Sequence, residues 1–144
     1  MRFRVETALL SAAILLFSCG KGGETSIKIA ERDVDVSQMD RAAEFVSTLM
    51  NGWNVGRFEP FDSQKVAPKI ANDLSPEKQK QLFEGRIRPA CGNFQRLTYV
   101  ATYAKGKERI YHFIGTFDKN DTQLKIFVGT TPDNVISDLV ISLP

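Results

Sequence analysis

Few side chains in this sequence have the types and spacing that catalysis or metal binding requires. His112 is the single histidine, and Cys91 is the only cysteine that follows Cys19. A zinc site built on several histidines is therefore excluded, and no Cys-x-x-Cys, His-x-x-x-His or calcium-loop spacing occurs. We predict no metal and no cofactor. Cys91 is interpreted as a small buried apolar residue, with a reactive or intermolecular thiol as the alternative.

His112 and Asp138 form the one acid–base combination that the strand pattern suggests. Alternation along the strands places His112 on the outer face of a sheet, in one cross-strand row with Phe127 and with Asp138 beyond it. A histidine beside a carboxylate could transfer protons near neutral pH. The alternative, which we favour, is a half-exposed surface histidine. We therefore predict no catalytic residue.

Tyr99, Tyr103 and Tyr111 are the candidates for a ligand pocket. The same alternation places all three on the inner face, where they could line a small apolar cavity with hydroxyl groups at its mouth. An isomerase-like pocket would also need an inward carboxylate, and the inner-face strand positions supply none. Tyrosines at this spacing more often belong to the core.

Four predicted strands between Asn93 and Ser142 position these side chains. Three connections rich in turn residues join the strands: Ala104–Gly106, Asp118–Asp121 and Thr131–Asn134. The three loops give registers that agree on one inner face, which predicts an antiparallel meander. The expected pairs are Tyr103 with Lys107, Tyr99 with Tyr111, Leu97 with Phe113, Phe113 with Ile126, and Ile126 with Leu139.

The outer face of this meander is more apolar than a solvated face should be. Its apolar residues come from all four strands: Val100, Ile114, Phe127, Ile136 and Val140. Large apolar patches usually mark an interface, so we predict contact with a second copy of the chain through this face. The alternative is that the helices or the segment Ile27–Ile29 cover it. The alternation of Ser26–Ile29 also suggests a short edge strand.

Two helices are predicted before the sheet. Ser37 and Asp40 form a capping box, and apolar residues then recur every three or four positions: Met39, Ala42, Ala43, Val46, Leu49, Met50 and Trp53. The second helix begins at Ser75-Pro76-Glu77 and is expected to end at Pro89. One further short helix could lie within residues 62–70. The predicted class is α+β, with N-terminal helices packed on a curved four-stranded antiparallel meander.

The first residues have the layout of an export signal. A basic opening, Met1–Arg4, precedes the apolar run Thr7–Phe17, which is too short to span a bilayer. The run ends in Leu16-Phe17-Ser18-Cys19, which resembles the lipobox of bacterial lipoproteins. This resemblance implies that Cys19 becomes the lipidated first residue of the mature protein. The alternative is an ordinary signal peptide that contains an incidental cysteine.

The lipoprotein resemblance implies three parts: a signal peptide at 1–18, a lipidated N-terminus and flexible tether at 19–36, and one α+β domain at 37–144. Removing residues 1–18 leaves 126 residues with 17 basic and 16 acidic side chains, enough for one small core. This near-neutral balance gives no reason to expect nucleic-acid binding. The expected location is membrane-anchored and extracytoplasmic, and Gly20 resembles a sorting signal for an outer membrane.

Helices followed by a meander in a domain of this size resemble the nuclear transport factor 2-like, or cystatin-like, superfamily. The resemblance covers roughly residues 37–142 and is carried by Ala43-Glu44-Phe45-Val46, Leu74-Ser75-Pro76-Glu77, Cys91-Gly92-Asn93-Phe94 and Val135–Ile141. It implies a conical fold that serves either binding modules or pocket enzymes of the isomerase or dehydratase type. We favour a non-enzymatic domain that binds a protein partner or a small apolar ligand, because the fold alone does not decide function.

Overall fold

The computed structural model of the chain describes residues 3–6 and 25–143. Helices precede a single sheet, so the α+β class is confirmed. The lipobox, Cys19 and residues 20–24 of the tether lie outside the described residues, so the expectations for them stay predictions.

A long helix and several short ones make up the helical part. A 3₁₀ turn at Glu31–Asp33 is followed by α1 (Val36–Asn54), α2 (Pro68–Asp73), α3 (Pro76–Leu82), a π-helical turn (Phe83–Ile87) and α4 (Arg88–Cys91). α1 begins earlier than predicted, because Asp35 and not Ser37 is its cap. The Asp35 carboxylate accepts a hydrogen bond from the Gln38 backbone N–H at 3.1 Å, which satisfies one of the free donors of the first turn.

The expected helix end at Pro89 is wrong. The chain passes from α3 through the π-helical turn into α4, and Pro89 lies inside α4. Pro89 comes directly after the π-helical turn, and the helical run continues through it although proline supplies no backbone N–H. The helical run ends instead at Gly92, whose φ of 83° no other residue type adopts readily.

The sheet has six strands, of which five are antiparallel. The strands are β1 (Phe3–Glu6), β2 (Ile27–Ile29), β3 (Phe94–Lys105), β4 (Glu108–Phe117), β5 (Gln123–Thr130) and β6 (Ile136–Ser142), in the spatial order β1-β6-β5-β4-β3-β2. The four predicted strands are therefore confirmed as an antiparallel meander, but the antiparallel part of the sheet has five strands and not four, because Ile27–Ile29 extends it as an edge strand beside β3. β1 lies parallel to β6 and was not predicted.

The turn between β3 and β4 is shorter than predicted. Lys105 pairs with Glu108 around a two-residue turn, Gly106-Lys107. Gly106 has the expected left-handed φ, 58°, and glycine at the first position of such a turn suits the twist of the flanking strands. Tyr103 consequently pairs with Ile110, and the predicted pair of Tyr103 with Lys107 is wrong.

A bulge at Val100 divides β3 into two parts. In one part the odd-numbered side chains lie on the inner face, and in the other the even-numbered ones do. Beyond the bulge Tyr99 pairs with Phe113 instead of Tyr111, and Leu97 pairs with Gly115. These partners are two positions away from the predicted ones, so Tyr99 and Leu97 keep the inner face. Tyr103, on the hairpin side of the bulge, lies on the outer face, which corrects its predicted inner position.

Of the other two connections, the one between β4 and β5 keeps the predicted register, and the one between β5 and β6 does not. Phe113 pairs with Ile126 as predicted. Ile126 pairs with Ile141 and not with Leu139, a shift of two residues that leaves the inner face unchanged. A bulge follows at the start of β6, so Ile136 belongs to the main core and the prediction that it lies on the outer face is wrong. The cause is a contact with a distant segment, since Ile136 makes two backbone hydrogen bonds, to Lys65 and Ala67, both 2.9 Å long.

The main core lies between the helices and the inner face of the sheet. The predicted apolar stripe of α1 is confirmed, with Ala42, Val46, Met50 and Trp53 buried and the other three members packed against the core. These helical residues meet an inner face made of Tyr111, Phe113, Phe117, Leu124, Ile126, Val128, Leu139 and Ile141. A second, small cluster of Ile110, Phe127 and Val140, with Tyr103 beside it, lies on the outer face.

Candidate functional site

The three candidate tyrosines do not line one cavity. Tyr111 is fully buried, and its hydroxyl donates a 2.6 Å hydrogen bond to Gln38 Oε1 on α1. Tyr99 is half-buried, packs edge-on against Phe113 and exchanges a 2.8 Å hydrogen bond with Thr102. Tyr103 contacts the outer cluster. The three hydroxyl groups therefore do not converge on one site, and burial raises the pKa of Tyr111 to about 12, which keeps its hydroxyl a donor at neutral pH.

Gln38 joins this buried tyrosine to the connection between β5 and β6. Its Nε2 donates to the Thr131 carbonyl oxygen and to Asn134 Oδ1, both at 3.1 Å. Asn134 has a left-handed φ of 63°, a conformation that asparagine tolerates better than most residues. One buried side chain thus fixes the β5–β6 connection against the start of α1.

Gln79 likewise anchors the segment between α1 and α2 by hydrogen bonds. Its Oε1 accepts from Trp53 Nε1 at 2.9 Å, and its Nε2 donates to the carbonyl oxygens of Glu59 and Leu74 at 2.8 and 2.9 Å. Gln79 is fully buried, and a buried amide with every strong hydrogen bond made is a rigid anchor. Both loops that face α1 are therefore held by a buried glutamine.

A groove of about 780 Å³ lies between α1, the segment 57–65 and the β5–β6 connection. Its apolar part is formed by Phe45, Leu49 and Phe61, all half-buried. The rings of Phe45 and Phe61 are 5.6 Å apart and tilted by 38°. This size matches that of typical small-ligand sites, and the groove is the candidate functional site of the domain.

Charged side chains of both signs surround the aromatic centre of the groove. The cations are Arg41, Arg57 and Lys65, and the anions are Glu44, Glu59 and Asp133. Arg57 and Glu59 pair with each other at 3.7 Å. Within residues 25–143, the other four make no ion pair. The groove therefore has no net charge of either sign to select a strongly charged ligand.

His112 lies on the outer face as predicted, although its row differs from the expected one. It pairs with Phe127, and Phe127 pairs with Val140, whereas Asp138 lies opposite Gly129. The imidazole stacks on Phe127 with centroids 4.4 Å apart. Burial, and secondarily the charge of Lys125, lower the pKa of His112 to about 4. It is therefore a neutral, buried residue at physiological pH and not the half-exposed one that we favoured.

The five interface candidates have different environments. Phe127 and Val140 are 1% and 2% exposed and belong to the outer cluster, while Ile136 is in the main core. Ile114 is half-buried on the outer face, and Val100, at the bulge, is 47% exposed. Only Val100 is therefore a freely exposed apolar residue in this set. Contact between copies through this face stays a prediction.

Cys91 agrees with the sequence interpretation. Cys91 is buried, and this burial raises the pKa of its thiol, so it packs as the predicted small apolar residue. Among residues 25–143 we find no group of histidine, cysteine and acidic side chains that could hold a metal ion. No helix in the described part of the chain is long and apolar enough to cross a membrane.

The sequence interpretation missed the groove and the two glutamines that shape it. A signal was present, since Gln38 continues the α1 stripe four residues before Ala42, and Gln79 precedes Leu82 and Phe83 by three and four residues. A polar residue on an apolar stripe needs a buried partner. The identity of that partner depends on loops whose positions the periodicity does not specify.

Comparison with known proteins gives no match. No protein-family model matches the chain, and we find no significant match among curated proteins or solved structures.

Proposed function

We propose that the protein is a membrane-anchored lipoprotein whose extracytoplasmic domain binds a protein partner or a small apolar ligand without catalysing a reaction. The groove beside α1 is the proposed binding site. The observation that carries this proposal is that both loop walls of the groove are held by buried, hydrogen-bonded glutamines, Gln38 and Gln79. Such pre-organisation reduces the entropy lost when a ligand binds.

The composition of the interior also favours binding over catalysis. The buried polar residues of the described chain are glutamine, threonine, lysine, histidine and serine, and none is a carboxylate. A pocket enzyme of the isomerase or dehydratase type would use an acid placed in an apolar cavity. The described helices and antiparallel strands are compatible with a nuclear transport factor 2-like domain, and we propose that finer classification on the sequence resemblance alone.

Membrane attachment is proposed through a lipid on Cys19. The argument is the apolar run Thr7–Phe17, too short to anchor a protein as a helix, followed by Leu-Phe-Ser-Cys. Replacement of Cys19 by alanine should release the protein from the membrane fraction or stall its processing. A variant that is still cleaved normally and stays membrane-bound would contradict lipid attachment at this cysteine.

Photo-crosslinking from the groove tests the proposed binding site. A photoreactive p-benzoylphenylalanine is placed at Thr48, an exposed residue of α1 that lines the groove, or at Gln81, an exposed residue of α3 that does not. Irradiation of living cells should add mass to the protein at Thr48 only, whether the adduct is a protein or a small molecule. Equal adducts at both positions, or none at Thr48, would contradict a ligand in the groove.

A further inference from the structure

We infer that the groove beside α1 takes an extended peptide segment of another protein, with an apolar side chain at its centre. This inference rests on the proposed function, because it names the class of ligand at the same site. Four properties of the groove support it: its length, its irregular backbone wall, its aromatic centre and its balanced rim charges.

The length of the groove suits a short peptide. Its lining residues on α1 run from Arg41 to Gly52, which corresponds to about 16 Å along a helix. An extended chain covers about 3.3 Å per residue, so roughly five residues of a partner would fill this length. The groove is also open along its side, because Arg41, Glu44 and Thr48 are exposed.

The wall opposite α1 offers backbone groups that have few partners. Residues 58–61 lie outside any helix or strand, and within the described part of the chain none of them makes a backbone–backbone hydrogen bond, although the Glu59 carbonyl oxygen accepts from Gln79 Nε2. Glu59 and Pro60 are exposed, so a ligand can reach this segment from solvent. A peptide can satisfy such groups with its own N–H and C=O. A hydrocarbon ligand has no such groups and cannot form these hydrogen bonds.

The centre of the groove supplies the apolar contact. Phe45, Leu49 and Phe61 are half-buried and pack against the main core, so their exposed edges are held in place. Aromatic residues in this situation bind an apolar side chain with little loss of their own freedom. The balanced charges around them disfavour a strongly charged partner, which selects a segment whose central residues are uncharged.

A displayed library of random octapeptides tests this inference. The protein isolated from membranes and held in phosphatidylcholine nanodiscs is panned against the library after subtraction on empty nanodiscs. Peptides with an apolar centre should be enriched. Thr48→Arg, which places a long charged side chain in the groove, should weaken their binding by about tenfold or more, whereas Gln81→Arg, which adds the same charge outside it, should leave binding unchanged.

N-methylated peptides test whether the backbone of the bound peptide forms hydrogen bonds with the groove. N-methylation of the central residues of an enriched peptide removes N–H groups without removing side chains, and it should weaken binding by about tenfold, the effect of one or two lost hydrogen bonds. Unchanged binding of the N-methylated peptide, or equal binding to the Thr48→Arg protein, would overturn the inference.

A small apolar probe separates the failure of this inference from the failure of the proposed function. Binding of 4-fluorophenol is followed by fluorine NMR for the parent and for Thr48→Arg. If no peptide is enriched but the parent alone binds 4-fluorophenol, the groove is a small-molecule site, so the peptide inference is wrong and the proposed function stands. If neither the library nor the probe gives Thr48-dependent binding, both are wrong.

Discussion

The two faces of the sheet differ in how they accommodate buried polar groups. On the inner side Trp53, Tyr111, Gln38 and Gln79 are buried together with apolar side chains, and each makes at least one side-chain hydrogen bond of 2.6–3.1 Å. On the outer side the Nε2 of His112 is buried without a hydrogen-bond partner in the described chain. The buried Oγ of Ser142 on the same face also lacks one, whereas on the inner side of the sheet Thr130 Oγ1 is in this situation.

This difference has an energetic meaning. A buried polar group without a partner loses its hydration and gains nothing in return, at a cost of about 1–3 kcal/mol. The bonded glutamines of the inner side avoid this cost, and they specify how the loops are placed. The outer face is the part whose stability depends on solution conditions, because its histidine can be protonated. The predictions below test this contrast.

The largest effect is expected for the inner face. Phe113 is 1% exposed, pairs with Ile126 and packs against Tyr99. Phe113→Ala should lower the free energy of unfolding by about 3–5 kcal/mol, through lost burial and the cavity that remains. Thermal or urea unfolding measures this change. A melting temperature within a few degrees of the parent would show that Phe113 is not central to the core.

The second largest effect is expected for acidification, which should destabilise the outer face. The pKa of His112 is near 6.5 in the unfolded chain and about 4 in the folded one, so the unfolded state binds more protons between these values. Stability is therefore highest above pH 6.5 and falls towards pH 4, by roughly 3 kcal/mol. Urea unfolding across this range measures the slope. His112→Phe retains a ring beside Phe127 and should remove the contribution; an unchanged slope would contradict this assignment.

Removal of one glutamine anchor should have an intermediate effect. Gln79→Leu leaves Trp53 Nε1 and the carbonyl oxygens of Glu59 and Leu74 without their partner, at an expected cost of about 1–3 kcal/mol. Gln81→Leu, at an exposed position of the same helix, is the control. Hydrogen exchange should also show faster exchange in residues 57–65. A loss of stability without that local change would argue against the anchoring role.

The smallest effect is expected at Val100. This residue is 47% exposed at the bulge of β3, and Val100→Lys should change stability by less than about 0.5 kcal/mol. If copies of the chain meet through the outer face, the same substitution should shift the protein towards monomers in light scattering. A parent that is already monomeric would remove the homodimer from consideration.

Local patterns predicted much of the fold. The stripe on α1, the cap and proline of α3 and the turn residues between the strands predicted which elements form and in what order. Face assignments held wherever a register error was two residues, as for Tyr99 and for Ile126, because side chains alternate with a period of two. They failed at Tyr103 and Ile136, where a single extra residue in a bulge inverts the alternation.

The sequence by itself determined the α+β class, the meander and the residues of the helical stripe, since each follows from interactions between residues close along the chain. The tertiary structure alone decided the bulges, the burial of His112 and the groove. Those features depend on contacts between distant segments: Ile136 with Lys65, Gln38 with Asn134, and Gln79 with Trp53 and Glu59. No local pattern encodes such contacts, because each partner is chosen by the packing of the whole domain.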